Sequence, residues 1–426
     1  PARQDRALDA SPREHHRRRR VGVIEARVRE RLWAAARARR DDLVSFAQQL
    51  IRTRSLPGEE QRIAELVADR LRSLGYDDVA IDRAGNVIGV LRGSGGGLSV
   101  QFNAHLDHVH EGDPKLWPFP PYEGVVRDGV LYGRGACDVK GALASQVYGI
   151  ALLRDLGLRP RGDCYFTGVV QEEVGGLGAA ALCEWLRTDT VVLAEASNLG
   201  LRRGHRGRVG LEVHFIGRSA HASAPERGAN PLFSLSRFLA RLNELPHRVH
   251  PELGPSTVAP TLVRTDQESR NVIPGAVQLV LDWRTVPSEE PETVRSAVEK
   301  LAEECVEAGV RCEVRLEERV ARSYRGLVVT LPPTRGFVLP ADHRAVRVGR
   351  RTLEVVLGRP VEDGFWQFAT DGGHFMAHGM PTIGFAPGNE ALAHTVEDSV
   401  TVADLEAAMV GYAALALALT REEGGA

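Results

Sequence analysis

Apolar positions along this chain change rhythm three times, and each rhythm predicts a different kind of element. Within residues 23–52, Leu43, Phe46, Leu50 and Ile51 share one helical face. Ile63, Leu66, Val67, Leu71 and Leu74 repeat at the same spacing before Gly75 offers a stop. The pattern then alternates, and residues 86–90 and 98–104 read as strands around a glycine-rich turn at 92–97. A helix over 142–156, a strand over 164–170, a helix near 179–187 and a strand over 190–193 follow. Strand 382–385 and a helix over 405–419 close the chain in the same style. Strands alternating with helices predict an α/β sheet with parallel members.

The middle keeps a different order. Strand 211–216, helix 231–245, strands 257–264 and 277–285, helix 291–308 and strand 311–316 spell βαββαβ, the split, ferredoxin-like arrangement. The expected fold class is α/β: a mixed, largely parallel sheet flanked by helices, with a ferredoxin-like domain inserted into it. The segments are a basic tail over 1–20, a first catalytic part over 21–208, the insert over 209–322 and a second catalytic part over 323–426.

Composition narrows the class without naming it. A chain of 426 residues with net charge −2 shows no general preference for nucleic acid or an anionic membrane. Arg17–Arg20 end a polar stretch that reads as a solvated tail. Cys137, Cys164, Cys183, Cys305 and Cys312 make no CxxC spacing, which suits reduced thiols and a cytoplasmic location. No signal peptide is visible, and no apolar run is read as reaching the roughly 18–20 residues of a membrane helix.

Candidate chemistry centres on Gly133-Arg-Gly-Ala-Cys-Asp-Val-Lys-Gly141. Asp138 there is a carboxylate in a glycine-rich turn with little steric cover, suited to bridging two metal ions. His105 and Asp107, in Ala-His-Leu-Asp, point to one side of an extended backbone. A ligating imidazole commonly gives its other N–H to a carboxylate, so His105 reads as ligand and Asp107 as its orienting group. Glu172 and Glu173 close an apolar strand, and two adjacent carboxylates at a strand end can take separate tasks. Glu195 follows strand 190–193, and His394 lies beyond strand 382–385. Ligands of open α/β sheets gather outside the carboxyl ends of strands, where His105, Glu173, Glu195 and His394 all fall. Two Zn²⁺ carry +4, which Asp138, Glu173, Glu195 and one hydroxide would balance. Nitrogen and oxygen donors suit zinc, with cobalt or manganese as substitutes.

These motifs resemble the zinc peptidases and deacylases of the acetylornithine deacetylase, succinyl-diaminopimelate desuccinylase, aminoacylase and bacterial glutamate carboxypeptidase family, over about residues 43–419. Within it, Tyr132-Gly-Arg-Gly-Ala, Gly207-Arg208 and Ser223-Ala-Pro-Glu-Arg-Gly228 are most similar to hydrolases linked to selenium metabolism. The resemblance implies two zinc ions per subunit, one held by His105, Asp138 and Glu195 and the other by Asp138, Glu173 and His394. It implies Glu172 as general base, Asp107 as orienting carboxylate and a cis Asp138–Val139 peptide. His221 matches a lid histidine that, in dimeric relatives, reaches the partner's site and steadies the oxyanion. Asn271, Arg284 and Gly388 match positions that grip the substrate's carboxylate. A homodimer through the insert is implied as well. His108 and His374 depart from the family pattern, as substrate contacts or as satisfied loop histidines.

The expected activity is hydrolysis of an amide bond in a small N-acyl amino acid or dipeptide-like compound with a free carboxylate. One rival is carbamoyl-amide hydrolysis of an allantoate or ureido acid, whose enzymes usually carry Tyr-Asp-Gly where this chain has Cys-Asp-Val-Lys-Gly. The other is a catalytically idle binding homologue.

Overall fold

The computed structural model describes residues 24–422; the basic tail lies outside them. Nine strands form the main sheet. Its centre is four consecutive parallel strands in the order Cys164–Val169, Val100–His105, Thr190–Leu193 and Thr382–Gly384. Antiparallel strands flank them, with Val87–Leu91 beside Cys164–Val169 and Leu201–His205 beside Thr382–Gly384. The sheet is mixed, and its four central strands all end on the same edge.

Alternation along each central strand divides side chains between two cores, as a sheet covered on both faces requires. Phe102, Ala104 and Val192 join a large core under the helices, while Val169, Val191 and Leu193 pack on the other face with Trp366 and Phe375. Helices Gly141–Asp155 and Val402–Leu419 pack together beneath the first face. Helix Val402–Leu419 corrects one expectation, because its 18 residues are long and apolar enough to cross a membrane by length and composition. It is 83% buried inside the fold, where an all-round apolar helix belongs.

The middle segment builds a sheet of its own, ordered Thr257–Thr265, Ala276–Thr285, Gly207–Ile216 and Arg311–Leu316, all antiparallel. Val209, Leu211, Val213 and Phe215 alternate inward from one strand, and Val277, Leu279, Leu281 and Trp283 from its neighbour. Helices Pro231–Ala240 and Pro291–Glu304 cover that face. Only Arg206 separates Leu201–His205 of the main sheet from Gly207–Ile216 of this one.

Helix ends differ from expectation where local geometry intervenes. The span 23–52 is two helices, Ala26–Ala38 and Arg40–Arg52, meeting at Arg39, whose side chain bonds Asp155 and Asp42. The helix near 179–187 shortens to Leu177–Leu182 behind a left-handed Gly176. The spans 231–245 and 291–308 end early, at Ala240 and Glu304.

Phe102 is fully buried and meets Tyr412 edge-on at 6.0 Å, which ties the central sheet to helix Val402–Leu419. Phe102→Ala is expected to cost about 3–5 kcal/mol, read as a lowered urea midpoint at unchanged slope. An unchanged midpoint would show that the sheet–helix contact contributes nothing.

Candidate metal centre

The four central strands deliver four side chains to one edge. His105 is the last residue of Val100–His105, Glu195 lies two beyond Thr190–Leu193, and Glu173 follows the turn after Cys164–Val169. His394 comes from the longer loop after Thr382–Gly384, on a backbone with φ 62 that few non-glycine residues adopt.

Asp138 arrives from below the same edge. Its turn contains left-handed Gly135, and the Asp138–Val139 peptide is cis. Buried Asp398 holds the turn open by accepting hydrogen bonds from the backbone N–H groups of Gly135 (2.7 Å) and Cys137 (2.8 Å). Arg134 pairs with the same carboxylate at 3.1 Å.

The resulting contacts form two triads that share Asp138. His105 Nε2 lies 3.1 Å from Asp138 Oδ1 and 3.9 Å from Glu195 Oε1. His394 Nε2 lies 3.1 Å from Asp138 Oδ2 and 3.0 Å from Glu173 Oε2. Within each triad every donor atom is within 4.8 Å of the others. Donors bonded tetrahedrally at 2.0–2.2 Å stand roughly 3.3–3.6 Å apart, so the spacing and the nitrogen–oxygen donor set fit zinc.

The electrostatics point the same way. Burial pulls the His105 imidazolium down, but Asp107, Asp138 and Glu195 outweigh it and raise its pKa well above normal. Hydrogen bonds to Asp138 and Glu173 push His394 up to about 10. Burial opposes ionisation of Asp138, yet His105 and His394 hold it below the usual carboxylate range. Burial and neighbouring carboxylates push Glu195 up to about 8, despite the opposing pull of His105, and raise Glu173 as well. A site this rich in buried carboxylate holds protons until divalent cations replace them.

Asp107 supports the cluster by two routes. Its backbone carbonyl is 3.0 Å from His105 Nδ1, closer than its own carboxylate at 3.6 Å. The carboxylate instead accepts from the backbone N–H groups of Glu172 and Glu173, each at 3.1 Å. Glu172 joins neither triad. Burial, then Glu195 and Asp371, raise its pKa well above normal.

These groups line a cavity of about 360 Å³. Asp138, Glu172, Glu173, Glu195, His394 and Arg284 reach its wall, as does His374. His105 sits buried behind it. His221, Asn271 and Gly388 are not part of this wall. His221 is exposed, with Nδ1 2.7 Å from Ser223 Oγ, and Asn271 is exposed beside it, its carbonyl accepting from Ala222 N–H. Gly388 is buried with φ 90, and a Cβ there would meet Cys137 Sγ at 2.7 Å, so its observed role is close packing on the Asp138 turn. His108 is a satisfied loop histidine: Ser55 N–H donates to its Nε2 at 3.0 Å, Nδ1 lies 2.8 Å from Val109 O, and burial lowers its pKa to about 3. His374 Nε2 lies 3.1 Å from Gly175 O, and burial lowers its pKa.

Sequence reasoning gave no site role to four charged members of the wall, Asp371, Glu390, Arg208 and Arg319. Asp371 stands beside His374 in Thr-Asp-Gly-Gly-His, and that acid in a glycine-rich turn was the available signal. It is buried, and burial brings its pKa up to about 7.

The profile of Peptidase family M20/M25/M40 matches residues 101–418. The chain belongs to this family. Membership makes it a metal-dependent hydrolase of amide bonds. It is similar to the uncharacterized protein YgeY of Escherichia coli strain K12, 32% identical over 387 residues that cover 88% of this chain and 94% of YgeY. It is 28% identical to the acetylornithine deacetylase of Myxococcus xanthus over 380 residues, 85% of this chain and 88% of that one. The crystal structure of Bacillus subtilis YXEP, a dinuclear metal-binding peptidase from the M20 family, superposes with a TM-score of 0.69. It covers 89% of this chain and 98% of YXEP at 16% identity, a likeness of fold.

Because His394 and Glu195 hold protons near neutral pH, zinc uptake by the metal-free protein is expected to release protons. Affinity should therefore fall as pH drops from 8 to 6. Calorimetry in buffers of different ionisation enthalpy measures the release; buffer-independent heats and a pH-independent affinity would contradict it.

Proposed function

We propose that this M20 hydrolase holds two zinc ions, or cobalt or manganese in their place. It cleaves the amide bond of a small N-acyl amino acid or dipeptide-like compound with a free carboxylate. The observation that carries this reading is the pair of triads sharing Asp138, with Glu172 left outside both at the same cavity. His105, Asp138 and Glu195 would hold one ion, and Asp138, Glu173 and His394 the other. Such a pair, when bound, polarises the scissile carbonyl and brings the pKa of water to about 7.

The chain's own groups do the rest. Glu172 takes a proton from the attacking water and returns it to the leaving nitrogen; the burial that raises its proton affinity suits a group that must do both. Asp107 fixes where that carboxylate stands, because it holds the backbone N–H groups of Glu172 and Glu173 together. Arg284 on the cavity wall takes the substrate's carboxylate. His221 and Asn271 share an exposed tip of the insert, which supports their action on the partner's cavity in a homodimer. There His221 donates to the tetrahedral oxyanion. Five free cysteines support a cytoplasmic location.

Glu172→Gln is expected to keep the metal content measured by elemental analysis while kcat falls roughly 10²–10⁴-fold. Retained turnover would refute the assignment. A hydrolysis screen over N-acetyl, N-succinyl and dipeptide substrates with zinc or cobalt identifies the acyl group. Mixing Glu172→Gln and His221→Ala chains should restore activity that neither has alone, since one mixed site regains both groups. Failure to complement after subunit exchange would place His221 outside the reaction.

A further inference from the structure

Beyond the acidic cluster, the same cavity wall carries three guanidinium groups, Arg208, Arg284 and Arg319. Arg208 and Arg284 are cross-strand partners in the inserted sheet. Each donates through Nε to one carboxylate, Asp282, at 2.8 and 2.7 Å. That shared acid orients both groups and neutralises one of their two charges.

Arg319 enters from a different element, the short strand Arg319–Arg322. Its Nη2 donates to Pro332 O at 3.2 Å and lies 3.5 Å from Thr334 Oγ1, while the Thr334 carbonyl accepts from Arg208 N–H. Thr334 thus joins the two arginines. Among the described residues no carboxylate oxygen stands within ion-pair distance of Arg319, and Glu317 acts on it only from further off. Burial and the charge of Arg208 act against its protonated form, and the Glu317 carboxylate offsets only part of that. Gly175, with φ 120, makes room for it, since a Cβ there would lie 2.8 Å from Arg319 Nη1. A half-buried guanidinium with no direct ion pair, on the wall of a ligand cavity, calls for an anion from the ligand.

We propose that Arg319 and Arg208 form a second anion subsite and that the substrate is dianionic. One carboxylate goes to Arg284 and a second anionic group to Arg319 and Arg208. This rests on the amide-hydrolase reading above and adds the charge of the substrate to it. A neutral group at this place would leave the Arg319 charge unpaired and partly desolvated, so the subsite selects against uncharged analogues as well as for anions.

The second charge can sit on the amino-acid side or the acyl side, and two matched pairs separate these. N-acetyl-L-glutamate against N-acetyl-L-glutamine tests the first; N-succinyl-L-alanine against N-succinamoyl-L-alanine tests the second. Zinc- or cobalt-loaded enzyme is expected to prefer the charged member of one pair. Arg319→Gln should lower kcat/KM for that member roughly 10–100-fold, chiefly through KM, and Arg319→Lys should recover part of the loss. The same compounds are titrated calorimetrically into the metal-loaded Glu172→Gln protein, with and without Arg319→Gln. Equal handling of both members in both pairs, or a preference that survives Arg319→Gln, overturns the subsite. Charge-selective binding that depends on Arg319, with no hydrolysis of any compound by wild type, upholds the subsite and overturns the hydrolase reading.

Discussion

Mutual repulsion of carboxylates is the constraint around which this molecule is arranged. Asp138, Glu172, Glu173 and Glu195 crowd one cavity wall, and like charges near 4 Å apart repel by about 4 kcal/mol at an effective dielectric of 20. Two imidazoles offset part of this by pairing across the shared aspartate. The remainder is relieved by proton uptake, as in the metal-free electrostatics, or by divalent cations. The site is thus unfavourable alone and favourable when loaded, which suits a centre whose purpose is to hold metal.

Only a rigid support can keep such groups together. Central parallel strands bury both faces, and their common carboxyl edge sets the separation of the ligands. Where no strand reaches, buried carboxylates grip backbone N–H groups instead. Asp398 does this under the Asp138 turn and Asp107 under Glu172 and Glu173. Neither belongs to a triad, yet each fixes the place of groups at the cavity wall.

The cavity is also polarised along its wall. Its acidic portion comes from the loops at the main sheet's edge and the Asp138 turn, and its guanidinium portion comes from the inserted sheet and the strand Arg319–Arg322. A cation-filled acidic centre beside excess positive charge presents a strongly anion-seeking surface.

Local periodicity was enough to reveal the elements and the strand ends carrying His105, Glu173, Glu195 and His394, because burial on a sheet or helix writes a period into the chain. Asp138 was legible from its glycine-rich turn taken together with the segments of His105, Glu172–Glu173, Glu195 and His394, not from a period. Periodicity carries no information about partners more than a hundred residues away. So Arg319 beside Arg208, Asp371 at the wall, and Gly388 against Cys137 rather than in the cavity were decided by tertiary structure. The same holds for Asp107, read as a partner for His105. Its backbone carbonyl lies nearer that ring, while its carboxylate serves two N–H groups brought alongside by the neighbouring strand. Helix Val402–Leu419 shows the division most plainly: eighteen mostly apolar residues, with only Asp404 and Glu406 charged, pass for a bilayer span by length and composition, and the packing around them places them in the core.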